Sequence, residues 1–310
     1  MTDKFMGNNG EQPLEERISE LKRAKNAVIL AHNYQRAEVQ DMADFVGDSL
    51  ELSQKAAKTE ASVIVFCGVH FMAETASILN PQKTVLLPDA GAGCPMANMI
   101  TADQLRQKKA ELPGATVVTY INSSAEVKAE SDYCCTSANG VRVVQSIPAK
   151  EIIFVPDQYL GAFIAGKTGK EMVLWPGYCP THMRILPEDI EARRKEHPQA
   201  KVVVHPECRP DVVALADEAL STSGMIRYAA REDVRELIVG TEVDILHRMN
   251  KENPGKVFIA ASKKAVCPNM KKITLEKVLW SLETLTPEVK VPEEIRVRAR
   301  RAVDRMLAIG

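Results

Sequence analysis

The chain repeats one plan three times. Short apolar, β-branched-rich runs recur along it: AVILAH (27–32), SVIVFCG (62–68) and TVLLPD (84–89); TVVTYI (116–121), EIIFVPD (151–157) and EMVLWPG (171–177); KVVVHPE (201–207), ELIVGTE (236–242) and KVFIAA (256–261). Continuous rather than alternating apolar character predicts strands covered on both faces. Helical patterns between them predict βαβ units and parallel sheets. The nine runs fall into three sets of three.

Polar residues keep step with this plan. The first run of each set ends at His32, Tyr120 or His205, 88 and 85 residues apart. The third run of each set is followed by Cys94, Cys179 or Cys267, 85 and 88 residues apart. Seventeen positions after each first marker stands a small hydroxyl residue, Ser49, Ser137 or Thr222, opening a helical pattern. Polar, proline-containing stretches at 108–115 and 193–200 mark the boundaries. The expected organisation is a tail and helix (1–26, its first dozen residues disordered), three αβα units (27–110, 111–198 and 199–286) and a closing helix (287–310). The units are expected to pack around a pseudo-threefold axis.

Ligands of parallel α/β sheets bind outside the carboxyl ends of the strands. All the markers lie just beyond such ends, so packing these ends together makes one central cavity. Three cysteines from three units suit a cubane iron–sulfur cluster with one iron left open, which acts as a Lewis acid. Each is followed by proline, in GAGCPMA, PGYCPTH and KAVCPNM, and proline shapes a rigid turn beside the sulfur. A lone cysteine after a strand is commonly a small buried hydrophobe; the threefold register outweighs that reading here. Cys67 and the adjacent Cys134 and Cys135 are assigned to core, and Cys208 is a weak candidate for an extra ligand or a redox-sensitive thiol.

Ser49, Ser137 and Thr222 are expected to cap helix N-termini, whose N–H groups and partial positive charge favour anions. Together they point to a multiply anionic small substrate. His32, Tyr34, Tyr120, Asn122, His182, His205 and Glu207 add acid–base groups, with Glu207 a candidate for a raised pKa. His70, His197 and His247 are read as structural.

Bulk properties exclude several classes. The chain of 310 residues is 45% hydrophobic and 26% charged with a net charge of −1, which argues against nucleic-acid or membrane-surface binding. The polar start, MTDKFMGNNGEQPLEER, lacks the apolar core of a signal peptide, and no apolar stretch reaches the ~20 residues of a membrane span. The expected location is the cytoplasm, where seven cysteines are not there for disulfides.

The motifs HNYQ (32–35), GDS (47–49), AGCPMA (92–97), YINSS (120–124), CTSAN (135–139), GYCPTH (177–182), HPEC (205–208), STSGMIR (221–227) and CPNMKKI (267–273) resemble the quinolinate synthase family. The resemblance implies three αβα units around a pseudo-threefold axis and a [4Fe–4S] cluster on Cys94, Cys179 and Cys267. It implies a transferase that condenses iminoaspartate with dihydroxyacetone phosphate, giving quinolinate, phosphate and water for NAD biosynthesis, with functional coupling to the enzyme that makes iminoaspartate. Carried over by motif, His32, Ser49, Tyr120, Asn122, Ser137, His205, Pro206, Glu207 and Thr222 contact substrates, and Tyr34, Tyr120, His182, His205 and Glu207 are catalytic. The CxxCxxC run of some members is absent, and Cys267 stands alone in its region. Three other readings stay open: an iron–sulfur hydro-lyase of another small acid, an electron carrier with a closed cluster, and a structural zinc protein.

Overall fold

The structure is a computed structural model, described for residues 12–310; the expected disorder of the first dozen residues falls on positions that, except for Gln12, lie outside the described ones. Three four-stranded sheets follow one another along the chain. The first holds β1 (Ala27–His32), β2 (Phe45–Gly47), β3 (Val63–Cys67) and β4 (Thr84–Leu86); the second β5 (Thr116–Tyr120), β6 (Tyr133–Cys135), β7 (Ile152–Val155) and β8 (Met172–Leu174). The third holds β9 (Lys201–Val204), β10 (Glu218–Ala219), β11 (Glu236–Gly240) and β12 (Val257–Ala260). Strand order is β2-β1-β3-β4, and the same in each. Every pairing within the sheets is parallel. The three sheets with their interleaved helices are the α/β architecture that the repeat predicts.

The nine expected strands are all present. Three more, β2, β6 and β10, were not expected: each is a two- or three-residue edge strand, too short to leave an apolar run. The register repeats as closely as the sequence does. Leu30 pairs with Phe66, Val118 with Phe154 and Val203 with Val239. All five residues of β3 are buried, as expected of a strand covered on both faces, and each large apolar side chain buried there contributes about 1.5–3 kcal/mol.

In every unit the strand order reverses between the first and third strands, and the crevice at such a switch point is where ligands sit in sheets of this kind. The closing helix, Glu293–Ile309, packs its buried face (Ala299, Ala302, Val303, Met306) onto the first two units. The loops that carry the cysteines share a local design. Each Cys-Pro pair leads into a one-turn 3-10 helix: Met96–Asn98, His182–Arg184 or Met270–Lys272. Gly177 brings the Cys179 loop close to β7. A Cβ there would lie 2.3 Å from the Pro156 carbonyl oxygen, so a larger residue would push the loop off the sheet.

Candidate active site

The carboxyl ends of the three sheets converge on a cavity of about 220 Å³. Cys94, Cys179 and Cys267 all line it. So do His32, Tyr34, Ser49, Tyr120, Asn122, Ser137, His182, His205, Glu207 and Thr222. Pro206, between two lining residues, is the one expected contact that does not. His70, His197 and His247 lie elsewhere, beside Glu74, Glu236 and Asp41.

The hydroxyl residues sit differently from expectation. Asp48, not Ser49, caps the helix Ser49–Lys58, its carboxylate accepting from the Leu50 and Glu51 N–H groups. Ser221, not Thr222, caps the helix Thr222–Ala229. Ser137 lies in a turn closed by the Thr136 N–H donating to Asn139 Oδ1. Because neighbouring side chains satisfy the helix ends, Ser49 and Thr222 are left facing the cavity. Thr222 Oγ1 also accepts from Asn33 Nδ2 at 2.9 Å, which leaves its own proton for a ligand.

Two histidines are fixed by the same backbone device. His32 Nδ1 accepts the Tyr34 N–H at 3.2 Å, and His205 Nδ1 accepts the Glu207 N–H at 3.3 Å. A backbone N–H only donates, so each Nδ1 is bare and each Nε2 carries the proton. His205 Nε2 then donates to Ser137 Oγ at 3.1 Å. Burial, with His205 nearby, pulls His32 down to about 3. Burial and the neighbouring His182 pull His205 down to about 3. Both are neutral donors at pH 7.

Tyr34, His182 and Glu207 form a directed chain with Thr241. Tyr34 Oη lies 2.5 Å from Thr241 Oγ1, which lies 2.8 Å from His182 Nε2. His182 Nδ1 lies 2.7 Å from Glu207 Oε2, close but off the best hydrogen-bond axis. Beside a carboxylate at that distance Nδ1 carries the proton, so Nε2 accepts from Thr241 and Thr241 accepts from Tyr34. Glu207 was a candidate for a raised pKa; the structure gives the opposite. Burial raises it, but His205, His182 and the facing Tyr120 hydroxyl outweigh burial and hold it at about 2. Burial and the Glu207 charge push Tyr34 and Tyr120 well above the ordinary phenol value. The resting state is therefore a neutral phenol facing an ionised carboxylate through two proton carriers.

Cys67, Cys134, Cys135 and Cys208 are buried outside the cavity. Cys208 sits among Ile185, Val204 and Val212 with its thiol against the Gly240 carbonyl, so it is core rather than an extra ligand. Burial pushes the Cys94 thiol up to about 12 and raises Cys179 well above its ordinary value. Such thiols become thiolates when cations neutralise them. Backbone donors already face two sulfurs: Met96 and Ala97 at Cys94, His182 at Cys179. Buried Glu207 Oε1 and Asn122 Oδ1, both at the cavity, have no hydrogen-bond partner among the described residues. Three thiols from three units and unpartnered oxygens lining the same cavity suit a metal–sulfur group with a polar ligand against it.

Cys179, His182 and Glu207 also place ligand atoms within 4.8 Å of one another. The 2.7 Å between His182 Nδ1 and Glu207 Oε2 argues against one small ion held by both. Ligand atoms on a tetrahedral zinc with ~2.0–2.1 Å bonds sit about 3.4 Å apart.

A sequence model of the family described as "Quinolinate synthetase A protein" matches residues 16–308. The chain belongs to this family. A quinolinate synthase of Dehalococcoides mccartyi (strain CBDB1) is 62% identical over 293 residues, 94% of this chain and 97% of the relative. One of Desulforudis audaxviator is 59% identical over the same shares. One of Geobacter sp. (strain M21) is 58% identical over 299 residues, 96% of this chain and 98% of the relative. Quinolinate synthases are iron–sulfur enzymes of NAD biosynthesis that act on small molecules. Within that frame the cavity is the candidate active site.

Several residues of the site escaped the sequence. Asn33, Asp48 and Arg184 line or support the cavity, Arg184 from its exposed rim. Thr241 lies inside ELIVGTE, where it reads as the end of a strand. Only the fold places its hydroxyl between side chains from two other units.

Proposed function

We propose that the chain is a transferase that condenses iminoaspartate with dihydroxyacetone phosphate to give quinolinate, phosphate and water. The units run over 27–110, 111–198 and 199–286, and Cys94, Cys179 and Cys267 hold one [4Fe–4S] cluster. The reading rests on one observation: the three thiols line the same cavity as Tyr34, His182 and Glu207, which Thr241 links from behind. Held by Cys94, Cys179 and Cys267, such a cluster would supply Lewis-acid stabilisation of substrate charge.

The remaining chemistry belongs to side chains. Hydroxyls of Ser49, Ser137 and Thr222, with the His32 Nε2–H, hold the phosphate and carboxylates of the substrates near the N-termini of two helices. As Tyr34 passes its proton to Thr241, Thr241 passes one to His182 Nε2. The resulting imidazolium lies against the Glu207 carboxylate, and Tyr34 becomes a base able to take a proton from bound substrate. The same chain in reverse returns a proton to a leaving hydroxyl. Burial excludes water from these steps. The Tyr120 hydroxyl faces the Glu207 carboxylate and helps keep it ionised. Arg184 at the rim draws in anions, and the unstable imine comes from the enzyme that makes it.

Among the described residues no helix is long and apolar enough to cross a membrane, and we place the enzyme in the cytoplasm. The test is anaerobic incubation of the iron-loaded chain with both substrates, scoring quinolinate by mass and phosphate by colour. Both are expected together. A hydro-lyase of another small acid would release no phosphate, and that outcome overturns the reading.

A further inference from the structure

Three residues beyond the equivalent strand positions Phe66, Phe154 and Val239 stand Val69, Asp157 and Glu242. The two acids are fully buried. Each faces the backbone of its own unit's cysteine: Cys267 N–H donates to Glu242 Oε1 at 3.2 Å, and Cys179 N–H faces the Asp157 carboxyl. Val69 offers no acceptor. Glu242 alone continues across the molecule. Its Oε1 lies 2.9 Å from Lys271 Nζ, and its Oε2 accepts the Asp244 N–H at 3.0 Å. Lys271 Nζ in turn donates to the Tyr34 carbonyl oxygen and pairs with Asp244. Two further bonds cross the same gap: Arg36 Nε to the Lys271 carbonyl at 2.8 Å, and Gln40 Nε2 to the Asp244 carbonyl at 2.9 Å.

We propose that Glu242 and Lys271 are positioning residues, a buried strut that holds the Cys267 loop in ligand geometry before any metal arrives and ties it to the loop carrying Tyr34. A carboxylate that takes up the cysteine N–H fixes where the sulfur points, as outer partners orient metal ligands elsewhere. Lys271 neutralises that carboxylate, which would otherwise be a costly unpaired buried charge. The proposal rests on the cluster assignment given above.

The test uses the full chain in two forms. In the cluster-free form, Cys267 and Cys94 are alkylated and followed separately by mass. In the reconstituted form, iron release to a ferrous chelator is timed. Glu242→Ala is expected to speed alkylation of Cys267 while leaving Cys94 at its native rate, and to speed iron release about 10- to 100-fold. Glu242→Gln, which keeps an oxygen for the Cys267 N–H, is expected to restore most of the native alkylation rate. Native alkylation and native iron release in Glu242→Ala overturn the proposal, and so does equal acceleration at both cysteines. Should Glu242→Ala fail to fold, Glu242→Gln/Lys271→Met carries the test: faster iron release is expected, and native release and alkylation overturn it. A native chain that takes up no iron would sink the cluster assignment, while the alkylation arm still judges the strut.

Discussion

His182 Nδ1 lies 2.7 Å from Glu207 Oε2, joining a side chain of the second sheet's last loop to one at the start of the third unit. Both groups are buried, and their contact decides the direction of every hydrogen bond that leads from there to Tyr34. Because Glu207 stays ionised, His182 presents a bare Nε2 to Thr241, and the hydrogen bonds run in one direction from the phenol toward the carboxylate.

Thr241→Val keeps the shape of the side chain and removes the hydroxyl. Turnover is expected to fall about 10²- to 10⁴-fold with iron content unchanged. Thr241→Ser is expected to recover most of it. Steady-state assays of quinolinate formation, with the iron:protein ratio alongside, check this; near-native turnover in the valine variant would remove Thr241 from the relay.

Glu207→Gln is expected to preserve the cluster's visible and magnetic spectra while cutting turnover by a similar factor. The amide leaves His182 without an anion to stabilise its imidazolium. A variant with normal turnover would show that the carboxylate is not used.

Cys179→Ala is expected to lower iron and sulfide together in protein purified without oxygen. Two thiols leave a second iron without a ligand from the protein. Cys208→Ala, by contrast, removes a core thiol and is expected to leave iron content native at a modest cost in stability. Iron and sulfide counts on the two variants separate the roles.

The cluster-free chain is expected to lose stability in acid from pH 6.5 downward. His32 and His205 protonate at about 3 in the fold but at an ordinary 6.5 when unfolded. Between those values the unfolded chain binds more protons, so stability rises with pH, by up to about 1.4 kcal/mol per pH unit for each group. Glu207, held at about 2 against an ordinary 4.5, adds stability that is complete above 4.5 and is lost as pH falls toward 2. Urea midpoints across this range should fall steadily. His32→Gln should flatten the slope between about pH 4 and 6 by roughly one proton.

Lys128 is fully buried, with its ammonium over the Phe71 ring and in the field of the buried Glu74 carboxylate. Lys128→Ala removes the cation that faces Glu74 and the donor to the buried Ser123 carbonyl, and is expected to cost about 1–3 kcal/mol. Lys128→Met with Glu74→Gln keeps an acceptor for the Ala125 N–H and is expected to recover most of that loss. Guanidinium unfolding of the two variants checks it.

The chain's own residues determined a good deal. The three apolar runs of each set became β1, β3 and β4 and their counterparts, because a strand buried on both faces must be apolar throughout. His32, Tyr120 and His205, and the three cysteines, spaced alike along the chain, all line one cavity. Ser49 and Thr222 were found as markers but given the wrong task, since whether a hydroxyl caps a helix or faces a ligand depends on a one-residue difference in where the helix begins. Thr241, Glu242 and Lys271 carried no signal. Their partners Tyr34 and His182 come from distant segments, and a hydrogen bond between such segments is a fact of docking, not of local pattern. Periodicity reports which face of an element is buried; the packing of one unit on the next decides what that face meets, the protonation of Glu207 included, because charge on a buried group depends on neighbours that only the assembled fold provides.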